Sequence, residues 1–357
     1  MMRIGLALLA LLLLAGVGFY VLRDRVALAL FQHAVDRGIA ADTIDALPDG
    51  LTAGFCGTGS PLPDRTRAGP CTAVIAGKRL FIFDAGDGSA ETLSLMGLSP
   101  ARIEAVFLTH FHSDHIDGLG NLALQRWAQG AASTPLPLYG GEGVERVAAG
   151  FTEAYAQDSG YRIAHHGPRV VPPSGAGITP HAFALADGQA SVVVLDDGGV
   201  RITAFPVDHG PVHPAFGYRI DYKGRSIVIS GDTRPAPSLV HAAQNADLLV
   251  HEALSPELTG IMERAARAQH QDGVAKILHD ILTYHTTPGE AAAEAEQAHV
   301  HALALTHLIP QMPTRLLEGP FLGDARQRFH GPLWIMRDGD LIELPATGGI
   351  KRRHTIE

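Results

Sequence analysis

The chain has 357 residues, 46% of them hydrophobic, a formal net charge of −9 and only two cysteines, Cys56 and Cys71. That length allows one large domain or two small ones, and the cysteine count excludes a disulfide scaffold or a cysteine-rich zinc finger. The acid excess argues against a basic nucleic-acid-binding surface, and so against nucleic acid as a partner.

In chain order, the first feature is an uncharged run over residues 4–22, bounded by Arg3 and Arg23. As a helix it would reach roughly 28 Å, about the hydrocarbon thickness of a bilayer. It is longer than the apolar core of a cleaved leader and lacks a clean small-x-small site. The expectation is therefore a single-pass anchor in the cell membrane over residues 1–25. The rest of the chain would face the periplasmic or extracytoplasmic side. Residues 26–50 read as a connector, beginning with a short helix over 26–40.

The main domain is expected over 51–345, with a tail at 346–357. Apolar runs predict strands at 51–55, 72–75, 80–83, 105–108, 191–195, 200–206, 216–222, 226–230, 248–251 and 302–306. Helices are predicted at 120–128, 144–156, 237–244, 260–268, 273–282 and 288–298, the last opened by Thr287 before Pro288. Residues 162–188, rich in Pro, Gly and His, read as a surface excursion. Strands in two batches, each finished by helices, suggest an α/β fold of two sheets packed face to face with helices outside. Cys56 and Cys71 flank a loop between strands. Buried free thiols are the favoured reading, with a cross-strand disulfide open if the domain is exported.

The densest chemistry lies in Thr109-His110-Phe111-His112-Ser113-Asp114-His115, directly after the apolar run 105–108. Imidazole and carboxylate suit zinc and related ions, and neutral imidazole is available near pH 7. A lone His-x-His would read as a solvated loop. Four donors in one strand-end loop are too many for a single catalytic zinc, which must keep a position open, but they suit two adjacent ions. Further donors follow strands in the same way: His209 after 200–206, Asp232 after 226–230, and His307 after 302–306. A strand-terminal Asp alone would be an ordinary turn residue; the recurrence is what argues for a shared rim.

Through His110-Phe111-His112-Ser113-Asp114-His115, His209, Asp232 and His307 the chain resembles the metallo-β-lactamase superfamily. Gly57-Thr58-Gly59-Ser60, Asp84-Ala85-Gly86-Asp87-Gly88, Gly217-Tyr218-Arg219, His251-Glu252-Ala253 and His285-Thr286-Thr287 bring it nearest the ribonuclease Z and arylsulfatase-type branch. The resemblance implies a four-layer αβ/βα sandwich, here with an N-terminal transmembrane helix. It implies two zinc ions, with Mn2+ or Fe2+ as substitutes. His110, His112 and His209 would hold the first and Asp114, His115 and His307 the second, with Asp232 bridging them around a hydroxide nucleophile. Asp114, His285 and Glu252 would serve catalysis, His285 as the non-ligand histidine and Glu252 as the carboxylate that orients it. A homodimer is a further expectation from the resemblance.

Transfer-RNA processing members of that branch carry a long basic arm between the equivalents of His209 and Asp232. Here the interval is 23 residues, enough for two strands and a turn. The leading expectation is accordingly a membrane-tethered dinuclear zinc hydrolase of a small anionic ester, a phosphodiester or an aryl sulfate. The alternatives are a ribonuclease Z-type transfer-RNA 3′-end endonuclease, or a non-catalytic metal-binding protein of the same fold.

Overall fold

The computed structural model describes residues 2–40 and 42–356, with no side-chain description at 2–4, 6–10, 14, 37, 39 and 40. The chain divides into two compact units, Met1–Thr43 and Ile44–Glu357. In the first, one helix runs from Met2 to Ala40. The expected transmembrane anchor is not supported. Among the described residues no helix is long and apolar enough to cross a membrane. Residues 4, 6–10 and 14 of the expected span have side chains outside the description, and the helix continues without a break through Arg23, Asp24 and Arg25. The single-pass membrane localisation that rested on this span, and the membrane as a partner, fall with it.

In the second unit the strands are β1 (Gly50–Gly57), β2 (Cys71–Ala76), β3 (Arg79–Phe83), β4 (Ile103–Phe107), β5 (Leu136–Gly140), β6 (Ile178–Ala182), β7 (Val192–Asp197), β8 (Val200–Pro206), β9 (Phe216–Tyr222), β10 (Arg225–Ile229), β11 (Leu248–Leu254), β12 (Leu303–Ile309), β13 (Leu333–Ile335), β14 (Asp340–Pro345) and β15 (Lys351–His354). One sheet has eight strands in the order β15-β14-β1-β2-β3-β4-β5-β6; the other has seven, β13-β12-β11-β10-β9-β8-β7. β3 to β6 run parallel, as do β10 to β13, so both sheets present carboxyl-terminal strand ends to a common rim.

Alternation along each strand builds the layers, because successive side chains point to opposite faces. Phe81 and Phe83 of β3 enter the core between the sheets with Ile227 and Ile229 of β10. Leu80 and Ile82 face the other way, toward helices Ser89–Leu95, Leu119–Gly130 and Val144–His166. Val228 likewise turns outward, onto helices Pro237–Ala242 and Pro288–Gln297. The result is the expected αβ/βα sandwich. The Pro288–Gln297 helix starts with a full capping box, Thr287 and Glu290 each bonding the other's backbone, which satisfies two otherwise orphaned donors.

Cys56 and Cys71 form a disulfide, not two free thiols, with Cα atoms 5.0 Å apart. The reason lies in register. β1 and β2 pair with an irregularity between Phe55 and Gly57, which places Cys56 beside Cys71. The reading of 162–188 as a surface excursion also needs amendment. The helix begun at Val144 continues to His166, and Ile178–Ala182 becomes the edge strand β6. The interval from His209 to Asp232 holds the tight β9–β10 hairpin, turning at Lys223-Gly224 with positive φ at both positions, the geometry favoured in two-residue hairpins.

Candidate metal centre

The rim gathers every predicted donor. β4 ends at Phe107, and the loop after it carries His110 and His112 before a short helical turn, Ser113–Ile116, that presents Asp114 and His115. β8 leads to His209 and β10 to Asp232. His307 does not follow its strand, as the sequence suggested, but lies within β12. Glu252 pairs with Thr306 and Ala253 with Leu308, so His307 is an extra residue with φ of 45°. Such a bulge re-aims a side chain at a sheet rim.

Donor atoms of His110, His112, His209 and Asp232 lie within 4.8 Å of one another, as do those of Asp114, His115 and His307. Asp232 joins the two sets. One of its oxygens is 3.3 Å from both His115 Nε2 and His307 Nε2, and 3.9 Å from His110 Nε2 and His209 Nε2. A third set, Asp232, His285 and His307, draws His285 to the same place. His299 and His301 fall in the turn before β12 and belong to no donor set among the described residues.

Hydrogen bonds on the far side of the rings fix which nitrogens face inward. His209 Nδ1 lies 3.1 Å from the Tyr284 carbonyl, so it must donate, leaving Nε2 with its lone pair toward the cluster. His115 Nδ1 donates to Asp84 Oδ2 at 2.8 Å. Thr109 Oγ1 donates to the same Asp84 oxygen at 2.9 Å and can then accept from His110 Nδ1 at 3.0 Å. Three inward nitrogens thus present lone pairs. His115 Nε2 is buried without a hydrogen-bond partner. An orphaned buried acceptor is costly, and converging lone pairs repel. A cation satisfies both, so the residues fit a divalent metal pair; the chemistry suits zinc without selecting it over neighbouring metals.

Charge follows the same plan. Burial, then the neighbouring His115, pushes His110 well below the usual histidine range. Burial would raise Asp232, but its interactions with the neighbouring His307 and His115 hold it well below the usual carboxylate range.

Behind the cluster stand two carboxylates. Asp84, which entered the sequence analysis only within the segment Asp84-Ala85-Gly86-Asp87-Gly88 and with no role of its own, bonds Thr109 N, Thr109 Oγ1 and His115 Nδ1. Its position directly after a buried strand, the same signal that marked Asp232, could have identified it. Glu252 Oε1 accepts from His285 Nδ1 at 2.9 Å and from the backbone N–H groups of Thr233 and Thr286, each at 3.1 Å. Burial lowers the His285 pKa and the Glu252 charge and hydrogen bond raise it, with a net upward shift. A cleft of about 950 Å³ opens beside Asp114. Arg65 and Arg315 are exposed on its walls, which also carry Asp87 and Asp117.

Residues 64–279 match the model of the Metallo-beta-lactamase superfamily. A protein from Mycobacterium bovis named Ribonuclease Z is 38% identical over 257 residues, 71% of this chain and 84% of its own. One of the same name from Mycobacterium marinum is 38% identical over 293 residues, 81% of this chain and 97% of its own. Among solved structures, the short form of human tRNase Z superposes with a TM-score of 0.59 at 23% identity, covering 82% of this chain and 99% of that one. These relatives overturn two expectations. Nucleic acid cannot be set aside as a partner, since the net charge behind that reading is an average over 357 residues. The leading expectation of a tethered small-ester hydrolase, aryl sulfates included, has no support beside relatives named for cutting RNA.

Proposed function

Because the chain belongs to the metallo-beta-lactamase superfamily, in its ribonuclease Z branch, and is a metal-dependent hydrolase of that kind, we propose that it cleaves RNA phosphodiester bonds, with transfer-RNA 3′ ends as its substrate. The observation that carries this reading is the 38% identity that extends over 97% of the Mycobacterium marinum ribonuclease Z.

His110, His112 and His209 would hold one divalent ion, Asp114, His115 and His307 the other, and Asp232 both. Bound there, the ions would supply Lewis acidity, which acidifies water toward pKa about 7 and opposes charge building on phosphate oxygens. The protein's part is orientation. Asp84 and the Tyr284 carbonyl fix ring tautomers before anything binds. Glu252 takes the Nδ1 proton of His285 in a hydrogen bond, which turns the opposite edge of that ring toward Asp232 and His307. From there His285 would hydrogen-bond the oxygen that departs from phosphorus, the role of a positioned acid. Between His209 and Asp232 the chain holds only the short β9–β10 hairpin. The cleft beside Asp114, with Arg65 and Arg315, offers the nearest room for a strand.

The deciding experiment incubates the metal-loaded protein with a transfer-RNA precursor carrying a 3′ trailer. A single cut at the trailer junction, lost in Asp232→Ala, is expected. A protein that retains two metals yet leaves the precursor intact would end this reading.

A further inference from the structure

Tyr284 stands beside the metal centre without being one of its donors. Its carbonyl orients His209, while its ring sits edge-on to the His209 ring at 5.2 Å and tilted against His285 at 5.0 Å. Two features keep the ring in place. Gly210, at φ of 62°, lies under it, where an added Cβ would come within 3.2 Å of the Tyr284 Cβ. It also packs against the small apolar cluster that includes Leu254, Leu278 and Ile281. The ring is half-buried, and its hydroxyl has no hydrogen-bond partner among the described residues. A core tyrosine normally finds a partner for its hydroxyl inside the protein; one that leaves it to water at a rim offers ring surface to a ligand.

We infer that the exposed part of the Tyr284 ring stacks on a nucleobase adjoining the scissile phosphate, and so makes this residue a specificity determinant for single-stranded RNA. The inference rests on the RNA-cleaving reading above. The Tyr284 ring packs edge-on against His209, a donor of one set, so the nucleotides flanking a phosphate held between the sets would pass near it. Every base has a π-face, so stacking there would favour an unpaired nucleotide of any sequence over a bare phosphodiester. A backbone contact alone could not make that distinction.

The test compares wild type, Tyr284→Leu and Tyr284→Phe on a precursor RNA and on two versions made abasic at the nucleotide before or after the cut. Affinity is measured on the metal-loaded protein with RNAs whose scissile 3′ oxygen is replaced by a methylene group, and cleavage separately with the natural linkage. Wild type should lose roughly 5- to 150-fold in affinity on one abasic RNA, the range that one stacked base provides. Tyr284→Leu should lose a similar factor on intact RNA, and little more on that abasic RNA, because both changes remove the same contact. Tyr284→Phe should bind like wild type. Equal losses from Tyr284→Leu on intact and both abasic RNAs would overturn the inference while leaving RNA cleavage standing. Failure of wild type to cut any of the RNAs would overturn both. Metal content is measured in every variant. A Tyr284→Leu protein that binds RNA normally but loses metal would show that the residue only supports His209, and would likewise overturn the inference.

Discussion

Asp84 Oδ2 accepts the Nδ1 proton of His115 at 2.8 Å, and the same oxygen takes the hydroxyl proton of Thr109, the residue that abuts His110. One carboxylate thereby sets the tautomer of a histidine in each donor set. Asp84 is buried and held at φ of 59°, a left-handed region uncommon for residues other than glycine, though Asp enters it more readily than most. Local strain of this kind persists only where surrounding contacts enforce it.

Replacing Asp84 with Asn should therefore weaken metal binding without touching a donor. The amide keeps the shape but offers a single acceptor oxygen where two are used. Loss of such an orienting partner typically costs about 10- to 100-fold in metal affinity. Competition against a chromogenic chelator reads this directly. Unchanged affinity would show that His115 is held by its packing alone.

The disulfide makes a separate prediction about stability. Cys56 and Cys71 are 15 residues apart, and the loop between them carries Arg65 and Arg67. Closing a loop of that length stabilises a fold by about 3 kcal/mol, chiefly by restricting the unfolded chain. Cys56→Ala with Cys71→Ala should show that loss in a urea titration. A double variant as stable as wild type would mean that β1 and β2 pair as firmly without the link.

How far the site could be read from the sequence depended on whether a residue's role is local. His110, His112, Asp114 and His115 were legible because one apolar run predicts a strand and all four follow it. Asp232 and His209 were legible by repetition of that pattern. His307 was found for a reason only nearly right, since the bulge that turns it inward is created by pairing with β11, which its own neighbours do not encode. Asp84 was missed because its role is visible only when β3 and β4 lie side by side. The strand at β6 was hidden by Pro180, which a sheet tolerates at an edge. The membrane reading failed by treating residues 4–22 as a separate element, whereas the helix that contains them continues to Ala40.

If RNA occupies the cleft beside Asp114, its arginines should reveal themselves through salt. Each phosphate contact adds close to one unit to the slope of log affinity against log salt concentration. Arg65→Ala and Arg315→Ala should each lower the slope by about 0.7 on single-stranded RNA, with little dependence on sequence. Asp87 and Asp117 on the same walls act in the opposite sense, and Asp117→Asn should tighten binding. Slopes that match wild type in both arginine variants would place the RNA elsewhere on the rim.

The pairing of His285 with Glu252 separates orientation from chemistry. His285→Ala removes the hydrogen bond to the departing oxygen, and turnover should fall about 10²- to 10⁴-fold, the usual worth of a positioned acid. Metal content should stay near wild type, because the seven donors of the two main sets are intact. Glu252→Gln keeps an acceptor for His285 Nδ1 but removes the charge beside it, so the loss should be smaller. The two effects should not add, since Glu252 acts on the reaction through His285: once that ring is gone, Glu252→Gln should cost little more. An RNA with a better leaving group should recover much of the His285→Ala loss, because a more acidic leaving oxygen needs less help. If it recovers nothing, His285 would be acting on another part of the transition state. If His285→Ala instead strips metal from the protein, its membership of the third donor set, with Asp232 and His307, would define its role.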